Sequence, residues 1–242
     1  MNVILQQGLP YDPFLLPRLP GISPLGDGPW LIRDEAFAAQ MALRESLLAT
    51  RRADVVACLP EARDAAGELL ALVLSEVYGA GSTDMVTRPD GANIAIDRAD
   101  PMGTLARLVQ EDLCVMQPRG AEHVLTAAAL LFPASWTLAE KLGRPLIGIH
   151  KPVAAYDAGL AARVQRLFDG IRVGAPLWRF NALWYDDPAL FQPRREDAPR
   201  LPPGDGGAYL RSERQVLRRL PETSAVVFSI HTYVVPRAAL TP

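Results

Sequence analysis

Cysteine and histidine are scarce in this chain of 242 residues, which has two of the first and three of the second. Cys58 and Cys114 form no CxxC pair, so neither a disulfide framework nor a thiol redox motif has support. Together with His123, His150 and His231 they cannot make a four-cysteine zinc site, and they lack the spacing of a finger with two cysteines and two histidines. HExxH is missing as well. Neither sign of charge is in excess: 25 Lys+Arg stand against 27 Asp+Glu, a formal net charge of -2, where a nucleic-acid binder shows a basic surplus. Apolar runs are too short for a membrane-spanning helix, and MNVILQQGLPYDPF has neither the basic start nor the uninterrupted apolar stretch of a signal peptide. A cytoplasmic protein with no nucleic-acid and no membrane partner is therefore expected.

Familiar catalytic loops are missing too. Gly204-Asp205-Gly206-Gly207 has neither the GxxxxGK[ST] nor the GxGxxG order and reads as a turn. Ser135 lacks the flanking glycines of a nucleophile elbow. Cys114, between Leu113 and Val115, reads as a small buried hydrophobe.

What is present is a globular composition, 49% hydrophobic and 21% charged. A chain this long can bury about 70% of its unfolded surface, enough for a full core. Residues 1–30 carry Pro10, Pro13, Pro17, Pro20, Pro24 and Pro29, each of which fixes φ and removes a donor, so an extended arm is predicted, laid on the body through Phe14, Leu15, Leu16 and Trp30. Helical spacing of Phe37, Met41 and Leu48 predicts a helix over 34–50. A short apolar stretch, 55–59, precedes a second helix from Pro60 to Tyr78, closed by Gly79. Asp100-Pro101 is a cap with proline at the first helical position. Residues 113–117 and 122–132 make a candidate hairpin around Pro118-Arg119-Gly120, although Ala127-Ala128-Ala129 would also suit a helix. Short helical or apolar segments are expected over 136–142 and 145–150, and an amphipathic helix over 157–171.

Strands follow at 177–185, from 209 to about 216, and at 224–235. In the last, Val226, Phe228, Ile230, Thr232 and Val234 alternate with Val227, Ser229, His231 and Tyr233. About five strands in hairpin-like succession predict an α+β protein with an antiparallel sheet, and the missing βαβ alternation disfavours Rossmann and TIM-barrel folds.

Two positions carry candidate chemistry. Glu213 shares a strand face with Tyr209 and Arg211; its ordinary reading is a solvated face with cross-strand ion pairs, its functional reading a site carboxylate. His150 ends the apolar run Leu146-Ile147-Gly148-Ile149. It reads either as a satisfied, partly buried imidazole or as an axial ligand of haem iron. His123, at the start of a strand, is expected to be exposed.

Three stretches, taken in order, go further. They are Phe132-Pro133-Ala134-Ser135-Trp136 through Lys141-Leu142-Gly143-Arg144-Pro145-Leu146 to Ile149-His150-Lys151-Pro152-Val153; Trp178-Arg179-Phe180-Asn181 with Asp187-Pro188-Ala189-Leu190-Phe191; and Leu210 to Pro221 followed by Phe228-Ser229-Ile230-His231-Thr232-Tyr233. In this pattern the chain resembles the haem-dependent oxidative N-demethylase family, over about residues 10–240. The resemblance implies a PAS-like fold with a five-stranded antiparallel sheet, an arm over 1–30 and a single haem-binding domain over 31–242. It implies haem b in the fold's cleft, His150 as the iron ligand, and Glu213 in the distal pocket as the catalytic carboxylate. Arg179, Arg214 and His231 are the further cofactor-binding positions. The implied activity is oxidative N-demethylation of a small secondary or methylated amine such as dimethylamine, releasing formaldehyde; the alternative is a non-catalytic haem or gas-sensing module. Electrons would come from separate flavin and iron–sulfur partners, because two cysteines cannot hold a cluster, and a homodimer is compatible with the PAS-like resemblance.

The sequence departs from the family pattern at Ala154-Ala155, at Ala182 and at His231, where a second proline, a tryptophan and an arginine are usual. An arginine at the last position would hold a haem propionate better than a histidine.

Overall fold

The computed structural model describes residues 3–15, 21–79, 81, 83–149, 158–198, 200–204 and 206–240. In chain order the elements are β1 (Ser23–Pro24), α1 (Phe37–Val55), β2 (Val56–Cys58), α2 (Arg63–Tyr78), β3 (Met85–Thr87), β4 (Asn93–Ala95), α3 (Pro101–Leu108), β5 (Asp112–Arg119), β6 (Glu122–Ala129), α4 (Leu138–Lys141), α5 (Leu146–Ile149), α6 (Ala158–Gly170), β7 (Leu177–Tyr185), β8 (Tyr209–Arg219) and β9 (Val226–Pro236).

The local signals act where they stand. Phe37 and Met41 are buried along α1, with Leu47 rather than Leu48 completing the stripe, and the helix continues to Val55. Pro60 opens a single 3-10 turn that leads into α2, and Gly79, at φ 61°, closes that helix in the left-handed conformation that glycine adopts without a Cβ penalty. The Asp100 carboxylate accepts from Gly103 N at the start of α3.

Every strand pairing is antiparallel, and the main sheet runs β1-β7-β8-β9-β5-β6-β2. Among the described residues the expected count of five is therefore corrected to seven. The five long strands are the expected ones; the extra two are short edges. β1 lies in the proline-rich arm, where a residue without an N–H can pair only at an edge. β2 is the short apolar stretch before Pro60, and its pairing with β6 across the sheet leaves no local trace in the sequence. β3 and β4 form a separate two-stranded ribbon. Ala127, Ala128 and Ala129 are in a strand, not a helix, because β5 and β2 pair with them on both sides.

Alternation along the strands creates two cores. Leu113, Val115, Ala127, Ala129, Val216 and Val227 pack with Met102 and Leu105 of α3 and with the apolar stripe of α2. Cys114, Met116, Leu125, Ala128, Leu217 and Val226 form the opposite core with Leu138, Leu146, Phe168 and Ile171. His123 belongs to this second side and is buried, not exposed: Gln165 and Phe168 of α6 cover it, with the ring centroids of His123 and Phe168 5.2 Å apart.

The arm lies on the side of the first core, where Trp30 is buried as expected but Phe14 and Leu15 are exposed, and Leu16 lies outside the described residues. Gln6 N donates to Val234 O at 2.9 Å, its side chain reaches Thr232 O and Val234 N, and the Tyr11 ring stacks on Phe180 at 4.3 Å. Among the described residues no helix is long and apolar enough to cross a membrane.

Candidate functional site

Cross-strand register assembles a polar strip on the side of the second core. Asn181 of β7 lies opposite Glu213 of β8, and Glu213 opposite Thr232 of β9. One step along, Arg179 lies opposite Gln215, and Gln215 opposite Ile230. Directly opposed residues point to the same side of a sheet. Arg179, Asn181, Glu213, Gln215 and Thr232 thus form a patch contributed by three strands.

Within that patch the Glu213 carboxylate is held asymmetrically. Its Oε2 accepts from Asn181 Nδ2 and from Gln215 Nε2, each at 3.0 Å. Asn181 Oδ1 accepts in turn from Glu213 N at 3.1 Å, so a reciprocal amide pair fixes the backbone as well as the side chain. Among the described residues Oε1 has only Arg211 Nε, at 3.9 Å, too far for a hydrogen bond. The remaining Arg211 donors are committed to the carbonyls of Phe132, at 2.6 Å, and Leu190, at 3.0 Å. Glu213 is 9% exposed, so one carboxylate oxygen is pinned and the other is left for a donor from outside the sheet.

Three groups beside it lack partners among the described residues, Arg211 Nε being one of them. Arg179 Nε and Thr232 Oγ1 are buried there without a hydrogen bond. Burial pulls the Arg179 pKa below its ordinary value, and the Glu213 charge opposes that pull. An arginine remains cationic in any such setting, so this is a half-buried guanidinium whose Nε has no partner among the described residues. Unsatisfied buried donors are costly and call for an explanation. An anionic group laid against Arg179 would supply one. The Cys114 thiol is pushed well up by burial, with Asp112 and Glu213 adding to the shift, and is a buried neutral thiol, not a nucleophile.

The other expected positions do not join this patch. Arg214 and His231 lie opposite each other on the reverse side of β8 and β9. Arg214 donates to Pro29 O at 2.6 Å and Trp30 O at 3.3 Å, and its guanidinium lies 5.9 Å from the Trp178 ring centre. His231 is fully buried, with Nδ1 3.1 Å from Glu111 Oε1 and Nε2 3.1 Å from Asp34 Oδ2. Arg214 is spent on the arm and His231 on Asp34, before α1, and Glu111, before β5, with the sheet between both and Glu213. His150 lies outside the described residues, one position beyond the end of α5. Among the described residues no cluster of three or more His, Cys, Asp or Glu is placed to hold a metal ion.

Asn181 and Gln215 join the site only in the folded chain. The sequence does carry a signal for Gln215, two positions after Glu213 in one strand and so on the same side. Asn181 belongs to the cradle only through the register of β7 with β8, which residue pattern alone does not fix.

A protein-family model described as "HODM_asu-like: Haem-dependent oxidative N-demethylase, alpha subunit-like" matches residues 21–241.

Proposed function

Because the chain belongs to the haem-dependent oxidative N-demethylase, alpha subunit-like, family, we propose that it catalyses oxidative N-demethylation of a small secondary or methylated amine, with release of formaldehyde. The observation that carries this reading is the juxtaposition, on one side of the sheet, of a carboxylate with one oxygen unbonded among the described residues and a half-buried arginine whose Nε lacks a partner among them. A demethylase that works with haem needs both: an anion acceptor for the cofactor's carboxylates and a carboxylate for the cationic amine.

The residues on that side fit the group. Arg179 would hold a haem propionate through charge-assisted hydrogen bonds, and His150 would ligate the iron of haem b through a neutral imidazole nitrogen. Arg214, expected at the cofactor, is assigned here to anchoring the arm, and His231 to its pairs with Asp34 and Glu111. Bound haem supplies the oxidising iron.

Glu213 supplies what the iron does not. A secondary amine is a cation near neutral pH, and Oε1 attracts it by charge into a site where few waters compete. The same oxygen accepts the ammonium proton, freeing the nitrogen lone pair that N-methyl oxidation requires. Asn181 and Gln215 keep Oε2 occupied, so the proton arrives at a defined atom. Across the whole reaction, dioxygen with two electrons from the donor proteins and two protons converts the methyl carbon to formaldehyde and releases one water, and the smaller amine remains.

Dimethylamine is the proposed substrate. Separate flavin and iron–sulfur proteins are the proposed electron donors, in keeping with a family described by its alpha subunit. The PAS-like reading is supported by five long antiparallel strands with helices on both sides. Residues 1–30 as an arm, residues 31–242 as one domain, a homodimer and a cytoplasmic location complete the proposal.

The test is formaldehyde release from dimethylamine by haem-loaded protein supplied with an electron donor. Turnover is expected, with a fall of about a hundredfold or more in kcat/KM for Glu213→Gln, the scale of a lost proton acceptor. Haem binding without formaldehyde from any small methylated amine would leave the haem or gas-sensing module as the function.

A further inference from the structure

We infer that Thr232 is a specificity-determining residue of the amine site: its hydroxyl and Glu213 Oε1 take the two N–H groups of a secondary ammonium ion. The inference rests on Glu213 being the amine-binding carboxylate proposed above.

A residue inside a sheet has its nearest same-side neighbours across the two adjoining strands and two positions away along its own. For Glu213 these are Asn181, Thr232, Arg211 and Gln215. Asn181 and Gln215 spend side-chain N–H groups on Oε2, each at 3.0 Å. The terminal nitrogens of Arg211 are spent on the carbonyls of Phe132 and Leu190. Thr232 differs: it is 1% exposed, and its Oγ1 has no hydrogen bond among the described residues. Directly opposed residues have Cβ atoms about 5 Å apart, which puts this hydroxyl and Oε1 within reach of one small ligand.

The backbone that carries the hydroxyl is fixed as well. Thr232 pairs with Glu213 in the register of β8 and β9. The pairing of β9 with β5 ends where Ile230 meets Asp112. Beyond that point glutamine side chains take over: the Thr232 carbonyl accepts from Gln6 Nε2 and from Gln40 Nε2, each at 3.2 Å. Both oxygens of the pair are thus set on rigid strands before any ligand arrives, which is what a selective site requires.

The number of N–H groups then selects the substrate. Dimethylammonium carries two, trimethylammonium one and methylammonium three. The carboxylate oxygen and the hydroxyl oxygen offer two acceptors, whereas Arg211 Nε, 3.9 Å from Oε1, can only donate. A secondary ammonium therefore satisfies both oxygens. A tertiary one leaves the buried hydroxyl unpaired and sets a methyl group against it. The primary product has an N–H for which the pair has no acceptor. Buried polar groups left unpaired are what discriminate between close analogues. The same pairing directs the proton step: the N–H facing Glu213 breaks, its proton joins Oε1, and the electron pair stays on nitrogen while the second N–H remains on Thr232.

The test compares haem-loaded wild type with Thr232→Val, which keeps the branched shape and removes the hydroxyl, and with Thr232→Ser, which keeps the hydroxyl. The readouts are calorimetric titration of the resting protein with dimethylammonium and with trimethylammonium chloride, kcat/KM for formaldehyde release from each amine, and the urea midpoint. Thr232→Val is expected to lose about tenfold or more in affinity and in kcat/KM for dimethylamine, the scale of a hydrogen bond to a charged group. Its values for trimethylamine are expected to stay near the wild type, and its urea midpoint to stay at or above it, because the hydroxyl has no bond to lose. Thr232→Ser is expected to keep the preference for the secondary amine. An unchanged preference in Thr232→Val, an equal loss for both amines, or a lowered midpoint would overturn the inference while leaving Glu213 in its role. The titration decides this whether or not formaldehyde is released. Wild-type affinity for dimethylammonium in Glu213→Gln would overturn the amine site and this inference together.

Discussion

His231 illustrates how a single side chain in this protein takes its role from what faces it. Burial alone pulls its pKa down, but hydrogen bonds to Asp34 and Glu111, and the charges of both, outweigh that and hold it at about 8. The folded value lies above the ordinary value of 6.5. The stabilisation is thus complete below about 6.5 and is lost as pH rises through about 8. Asp34 works in the opposite direction. Burial pushes its pKa up, the bonds from His231 and Gln110 pull it further down, and the stability it brings is lost as pH falls through the acid range. We predict a thermal midpoint that declines for the wild type between pH 6.5 and 8.5, about the span of that titration, and a flatter profile, lower at pH 6, for His231→Gln. Scanning calorimetry across that range checks both. Arg44 is another buried cation. It is fully buried, pairs with Asp112 Oδ1 at 2.8 Å and donates to the carbonyls of Ala106, Gln110 and Glu111. Arg44→Met removes one partner of a buried pair and is expected to cost about 3–5 kcal/mol in urea unfolding.

Strands 8 and 9 are the elements on which both the site and the arm depend, and they are the most legible in the sequence. Alternation in Ser212-Glu213-Arg214-Gln215 and in Ile230-His231-Thr232-Tyr233 sorts these residues onto two sides by parity alone. Alternation already parts Arg214 from Glu213; it is the family resemblance, which names residues without their sides, that groups Arg214 and His231 with Glu213 although the sheet separates them. Pairing is the second blind spot. Asn181 reaches Glu213, and β2 reaches β6, through contacts between residues far apart in the chain. The burial of His123 is hidden from the sequence for the same reason, since its cover comes from α6. Local signals, such as Pro101 after the Asp100 cap and Gly79 at the end of α2, are legible because their physics is local. Gly207 is a position where an element's end depends on a missing Cβ. At φ 79° an added Cβ would come 2.9 Å from Trp184 Cβ and from Tyr185 N. Gly207→Ala is predicted to destabilise by about 1–2 kcal/mol from the left-handed backbone alone, with the steric clash adding to it, and urea denaturation reads the sum.

At the scale of the whole molecule, the two sides of the sheet are given different tasks. One carries α1, α2, α3 and the docked arm; the other carries the Arg179–Glu213 patch beside the core of α4, α5 and α6. The arm is held by Gln6 on β9, by Tyr11, whose hydroxyl lies 2.9 Å from Ser212 Oγ, and by Arg214 on the carbonyls of Pro29 and Trp30. Tyr11→Leu should speed hydrogen exchange in the arm near residue 11 and leave β5 and β6 protected, as local opening of a docked segment does. The central claim is that the cofactor lies against the side bearing Arg179 and Glu213. Titration of the apoprotein with hemin, followed at the Soret band, tests it most directly. The account predicts saturable binding, weakened about tenfold or more in Arg179→Met by the loss of charge-assisted bonds to a carboxylate, and wild-type affinity in Arg214→Met. Wild-type affinity in Arg179→Met, or loss of binding in a folded Arg214→Met, would contradict it.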